Sequence, residues 1–221
     1  MNGVDIRPIW KHSCDNRERA TKKYSFLSKF EMNKRTEEVW RHIDIKKGDH
    51  CLDVGCGQGA MSVGMALAGG IVSAFDINPD YIKELERFSS GYGVKIDSKV
   101  LSALDVLPYP KESFDFILSV EVFEHLSDPR EGLLNAAKYL KPDGRIVLTV
   151  PNSDSLFWRI VHFSEKAGLW KHRQTIGRQT HVEFSKKKAF ELVEDFDIIE
   201  YKPLFSSHLF ILKPKTARIN K

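Results

Sequence analysis

Residues 50–60 read HCLDVGCGQGA. A short apolar run ends in Asp53 and Val54, and three glycines then alternate with other residues at Gly55, Gly57 and Gly59. A run of apolar and small residues from Met61 to Ala68 follows. The reading is strand, tight loop, helix. Glycines belong where the backbone needs positive φ or where something approaches closer than a Cβ allows. At the carboxyl end of a parallel strand, beside a helix N-terminus, that something is a ligand.

Two ligands compete for the loop. Gly55, Gly57 and Ala60 satisfy the dinucleotide fingerprint G-x-G-x-x-G/A, and Asp76 lies about 20 residues on, as that fingerprint asks. Asp53 argues against it. A pyrophosphate would have to approach its carboxylate, and like charges that close repel. A cation such as S-adenosylmethionine, with its sulfonium and ammonium and no phosphate, would be attracted instead. The plainer reading makes Asp53 a turn-former or helix cap.

The rest of the chain is consistent with a single α/β domain over 1–221. Its composition is that of a globular protein, with 42% apolar and 29% charged residues and a net charge of +4. Three cysteines, Cys14, Cys51 and Cys56, give neither a disulfide framework nor a zinc spacing. No apolar run reaches the length of a membrane span, and the expected location is cytoplasmic. Residues 1–12 read as a loose arm. From Asp15 to about Ile45 the pattern is helical, with Tyr24, Leu27, Phe30, Val39 and Ile43 on one stripe. Residues 1–47 therefore form a helical cap.

Downstream of the loop, IVSAFD (71–76) reads as a strand and Asn78-Pro79 as a helix start. A third strand is expected over about 94–103, and FDFILSV (114–120) as a fourth. Asp128-Pro129 opens a helix to Leu140, Pro142-Asp143-Gly144 turns, and RIVLTV (145–150) is a fifth strand. Such alternation gives a parallel sheet with helices on both faces, a core spanning 48–151. Residues 152–184 look like a lid insertion. They carry an aromatic helical stretch with Leu156, Ile160, Phe163 and Ala167 at helical spacing. In 185–214, Ser185 caps a closing helix, and DIIEYKPLF and SSHLFILKP form a strand pair joined too tightly to be parallel.

LDVGCGQG, FDIN, LDVLPYPKESFD, EVFEHLSDP and LKPDGRIVLTVPN stand in one order and spacing. Together they resemble a class I S-adenosylmethionine-dependent methyltransferase. The resemblance covers residues 48–152. It implies a Rossmann-like seven-stranded sheet, mostly parallel, with an antiparallel last strand. It also implies cofactor contacts. Gly55, Cys56, Gly57 and Gly59 would pass the backbone close to the methionyl part, and Asp53 would hold its ammonium. Asp76 would take both ribose hydroxyls, and Ile77 would pack on the adenine. Asp105 would accept from the adenine amine, with Leu104 or Val106 as backbone donor, and Ser119 would lie beside the sulfonium. Asp105 also suits a plain turn before Pro108.

Methyl transfer to a hydroxyl needs alignment, dry surroundings and removal of a proton, by a base or a metal. In EVFEH, Glu121 and His125 are four apart and Glu124 lies between them, all after the fourth strand. His125 and Glu121 are the expected catalytic groups. Glu121, Glu124, His125 and His181 could alternatively hold a divalent ion, which a resemblance to the small-RNA 2′-O-methyltransferases implies would be magnesium or manganese. This arrangement resembles the ubiquinone-pathway O-methyltransferases and the small-RNA 2′-O-methyltransferases. The expected acceptor is a hydroxyl of a small aromatic or lipophilic molecule. An RNA 2′-hydroxyl and a dinucleotide-binding protein without transfer activity are the alternatives. No RNA-binding motif is present, and the basic amphipathic stretch 155–173 suits peripheral membrane contact.

Overall fold

The structure, a computed structural model, describes residues 4–11, 26–166 and 182–215. The run that ends in Asp53 and Val54 is strand β1 (His50–Val54), buried along all but its first residue. It pairs in parallel with β2 (Ile71–Asp76) on one side and β4 (Phe114–Val120) on the other. Strand β3 (Asp97–Val100) adds in parallel outside β2, and β5 (Leu140–Pro151) outside β4. The closing pair is antiparallel, as expected: β7 (Ser207–Pro214) runs against β5, and β6 (Phe196–Pro203) against β7. The sheet order is β3-β2-β1-β4-β5-β7-β6. The order reverses at β1 and β4, and that switch point is where a doubly wound sheet opens a crevice at its carboxyl edge.

Successive residues of each strand point to opposite faces, so the sheet divides the core in two. Leu52, Val54, Ile117 and Leu148 face α5 (Pro129–Ala137) and α7 (Lys186–Leu192). Cys51, Phe116, Leu118 and Val147 face α2 (Phe26–Arg41), α3 (Ala60–Leu67) and α4 (Pro79–Gly91). The helix starts follow their capping residues. The Asn78 side chain accepts from the Asp80 N–H with Pro79 behind it, Asp128 accepts from Glu131, and Ser185 accepts from Lys188.

Four expectations are corrected. Residues 6–11 form a short helix, α1, rather than a loose arm, and Ile6 and Ile9 are buried on the α2–α3 side. The Trp40 indole donates to the Val4 carbonyl at 3.2 Å. A Cβ at Gly64 would stand 2.6 Å from Ile6 and 2.9 Å from Trp40, so the missing side chain is what lets α1 dock. Two apolar residues three apart are too short a period to read as a helix. The other corrections concern the strands and the cap. The third strand is only Asp97–Val100, because the Val94 N–H closes the end of α4 on Ser89. Pro142-Asp143-Gly144 lies within β5, where the pairing with β4 shifts register. Phe30, expected on the buried stripe, is exposed. The aromatic helix α6 runs Leu156–Lys166.

Gly59 tests the loop's packing. Its φ is +84°, and a Cβ there would stand 2.1 Å from Leu85 Cδ1. Gly59→Ala therefore meets both a left-handed backbone and an occupied space. It should lower unfolding stability by about 1–3 kcal/mol, measured by denaturant titration.

Candidate active site

The loop after β1 makes three left-handed turns, at Gly55 (φ 67°), Gly57 (φ 53°) and Gly59 (φ 84°). A Cβ on Gly55 would stand 2.5 Å from Val122. The glycine therefore brings the loop directly against the segment that follows β4, so two separate sequence motifs share one edge. Asp53 shares a face of β1 with Cys51, looking toward α3, and accepts the Ser62 hydroxyl at 2.5 Å. Burial pushes its carboxyl up to about 7, with Ser62 partly opposing and Asp76 adding to the rise. No cationic side chain is among these influences.

Asp76 ends β2 and is nearly buried. One of its oxygens accepts the Gly57 N–H at 2.9 Å and the other the Asn78 N–H at 2.9 Å. Each oxygen keeps a second lone pair for a ligand. Ile77 beside it is 60% exposed, and Val106, on the loop after β3, is 88% exposed. A bare apolar side chain next to a buried carboxylate suits a flat aromatic ring with polar edges. The loop at 102–106 is tied down: Asn135 donates to the carbonyls of Ala103 and Asp105, and Asp105 accepts the Ser102 N–H at 2.7 Å. The Leu104 N–H is given to Ser102 Oγ. Ser119, paired with Val54, is fully buried, and its hydroxyl has no hydrogen-bond partner.

Beyond Ser119 the chain turns at Glu121, whose φ of +55° is rare for a residue with a Cβ. A single 3₁₀ turn, Phe123–His125, follows. Glu121 Oε2 lies 3.3 Å from Arg35 Nη1, which also bonds Glu31 Oε1 at 2.9 Å. Glu31 is held in turn by the Ser206 hydroxyl. Burial raises the Glu121 carboxyl, against the pull of Arg35 and with the help of Glu31. Glu124, only 2% exposed, is raised further by burial and by Glu121. Arg35 is held above its ordinary value: burial lowers it, but Glu121, Glu31 and Glu124 outweigh that. His125 is more open, its side chain 43% exposed and its Nε2 3.8 Å from Glu124 Oε1.

Sequence reading missed Arg35, Glu31, Ser206 and Ser207. Glu31 and Arg35 are an i,i+4 pair on a helix, which reads as a surface ion pair. Only the fold reveals that it is buried. A resident metal does not fit the geometry described. Among the described residues no three His, Cys, Asp or Glu side chains are placed to hold an ion. Glu121 turns to Arg35, and His181, the fourth expected ligand, lies outside the described residues.

Residues 52–148 match a family model described as "Methyltransferase domain". Over these residues the chain is therefore similar to a methyltransferase domain. The chain is 37% identical over 118 residues to a ubiquinone biosynthesis O-methyltransferase of Xanthomonas euvesicatoria pv. vesicatoria, covering 53% of this chain and 49% of that one. It thus spans about half the length of the curated relatives it matches. Among solved structures, a protein of Pyrococcus horikoshii OT3 superposes with a TM-score of 0.70 at 16% identity, covering 90% of this chain and 99% of that one. Magnesium protoporphyrin IX methyltransferase from Synechocystis PCC 6803, with bound SAH, gives 0.69 at 16% identity, covering 95% and 98%. At such identities these two establish the fold alone.

The crevice fits S-adenosylmethionine on its own terms. Among the described residues it holds a buried carboxylate that no cation is seen to shift, a serine hydroxyl without a hydrogen-bond partner and two exposed apolar side chains. The pH behaviour of Asp53 follows. Its folded pKa, about 7, exceeds the ordinary aspartate value of 3.8. The free protein therefore binds the extra proton and loses stability from this group as pH rises from near 4 to 7. A cationic ligand favours the carboxylate, so S-adenosylmethionine binding near pH 6 should release up to one proton. Calorimetry in buffers of different ionisation enthalpy measures this. Asp53→Asn should abolish the proton release and remove this group's share of the slope of stability with pH.

Proposed function

We propose that this chain transfers the methyl group of S-adenosylmethionine to a hydroxyl of a small acceptor with an aromatic or lipophilic body. The observation that carries this reading is the junction at Gly55 and Val122. Val122 belongs to the segment that carries Glu121, Glu124 and His125, so its approach to the glycine loop supports a site formed by the two. The relatives named as ubiquinone biosynthesis O-methyltransferases support a hydroxyl acceptor. The SAH in the Synechocystis structure supports the cofactor.

When bound, S-adenosylmethionine supplies an electrophilic methyl whose leaving sulfur departs neutral. The chain's work is then alignment, dryness and a proton sink. Asp53 and the glycine loop hold the methionyl end. Asp76 fixes the ribose through the lone pairs it has left, and Ile77 and Val106 sandwich the adenine. Ser119 marks the sulfonium end of the crevice. His125, exposed at the rim, takes the acceptor's proton with Glu121 and Glu124 behind it. On α6, Leu156, Ile160 and Phe163 are 67%, 53% and 71% exposed along one face. That face suits a lipophilic acceptor and contact with a membrane surface from which one is drawn. No described helix is long and apolar enough to cross a membrane.

His125→Ala should lower turnover by roughly 10²–10⁴ while SAH affinity stays within about twofold. Chelation should leave the wild-type rate unchanged. Inhibition by EDTA that manganese or magnesium reverses, with Glu121→Ala as damaging as His125→Ala, would assign these residues to a metal instead. Full activity in His125→Ala would place the proton acceptor elsewhere.

A further inference from the structure

A cleft of about 150 Å³ lies between α2 and the β6–β7 turn, lined by Glu31, Lys34, Arg35, Glu38, Leu204, Phe205 and Ser206. It sits beside the site already described, because Arg35 forms one wall and also reaches Glu121. Three buried polar atoms of this cluster have no hydrogen-bond partner: Arg35 Nε, Glu121 Oε1 and Glu124 Oε2. Buried polar atoms are normally satisfied, so an unused donor on Arg35 and unused acceptors on the two carboxylates describe the ligand group that would complete them.

We propose that Arg35 is an acceptor-binding residue whose Nε–H selects a hydroxyl over an amine. This rests on the methyl-transfer reading and sharpens it. A hydroxyl oxygen has two lone pairs and one hydrogen. It can accept from Arg35 Nε–H, donate to Glu121 Oε1 and still present a lone pair to the methyl carbon. An aromatic amine has one lone pair, delocalised into its ring, so it accepts only weakly from Arg35, and accepting would also consume the pair that must attack. A carboxylate acceptor is disfavoured for another reason: Glu31, Glu121 and Glu124 already surround the single guanidinium, and a further negative charge is repelled.

The step balances. The acceptor oxygen forms the C–O bond with its free lone pair, and the C–S bond breaks with its electrons going to sulfur. The hydroxyl proton passes by way of Glu121 Oε1 to His125, the proton acceptor proposed above. Arg35 polarises the O–H bond, and its ion pair with Glu121 keeps that carboxylate in place. Phe205, 51% exposed at the cleft and in ring contact with Phe157 at 5.3 Å, offers an apolar wall for the body of the acceptor.

The test is binding to the SAH-loaded protein of three matched probes: para-butylphenol, para-butylaniline and para-butylbenzoate. The pH is chosen so that the aniline is uncharged. An unsatisfied buried donor is worth about a factor of ten or more. The wild type should therefore bind the phenol at least about tenfold more tightly than the aniline, and the benzoate least. Arg35→Met, and Arg35→Lys, which keeps the charge but removes Nε–H, should bring phenol and aniline level while SAH affinity is unchanged. If Arg35→Met does not fold, the wild type and Arg35→Lys decide. Absence of phenol binding or of the phenol preference in the wild type overturns the proposal, as does a preference that survives in Arg35→Lys. Failure of the wild type to bind SAH would overturn the methyl-transfer reading itself, a separate result.

Discussion

Two missing Cβ atoms hold the crevice together. Gly55 leaves the space that Val122 fills, and Gly59 the space that Leu85 fills. The first joins the end of β1 to the turn after β4; the second joins the loop to α4. Both glycines have positive φ, so the backbone path and the packing make the same demand. From this joint the order of the sheet follows as a functional fact. Loops from β1, β2 and β4 meet at one edge because β1 lies between β2 and β4.

Electrostatics at that edge run against folding. Asp53, Glu121 and Glu124 are carboxyls pushed upward by burial. Only one described cation, Arg35, reaches the latter pair. Burying a charge without a partner is costly, and in a folded protein the group gains a proton instead. A crevice with protonated or half-paired carboxylates is therefore less stable than an apolar one, and it gains most from a ligand that brings the missing donors or positive charge. This is the physical sense in which the free site is arranged for something it does not contain.

The legible part of the chain was the part whose signals are local. HCLDVGCGQGA could be read as strand, loop and helix because the alternation of glycines, the apolar run and the small-residue helix all lie within a few turns of backbone. Asn78-Pro79 and Asp128-Pro129 announced their helices through capping chemistry alone, and the tight link between the last two strands fixed their antiparallel sense. α1 escaped notice because Ile6 and Ile9 make too short a period. β5 escaped its expected start because it begins at Leu140 and carries Pro142-Asp143-Gly144 as an irregularity, where its pairing with β4 shifts register. Phe30 was misplaced because a helix stripe says which face is apolar, not whether the neighbour that would cover it is there.

The acceptor side was illegible for a different reason. Glu31 and the Ser206 that holds it are 175 positions apart, and Arg35 and Ser207 are 172 apart. No spacing rule spans such distances, and each residue alone has an ordinary surface role. The cofactor side is written in backbone: φ angles, N–H groups and the absence of Cβ atoms, all fixed within one loop. The acceptor side is written in side chains from α2, the turn after β4 and the start of β7. These meet only after the sheet has closed, with α2 packed on one face and β7 set against β5. A change in the packing of α2 can therefore move Arg35 relative to Glu121 without disturbing the glycine loop. Acceptor choice and cofactor binding are separable in this fold because one depends on long-range convergence and the other on a contiguous turn.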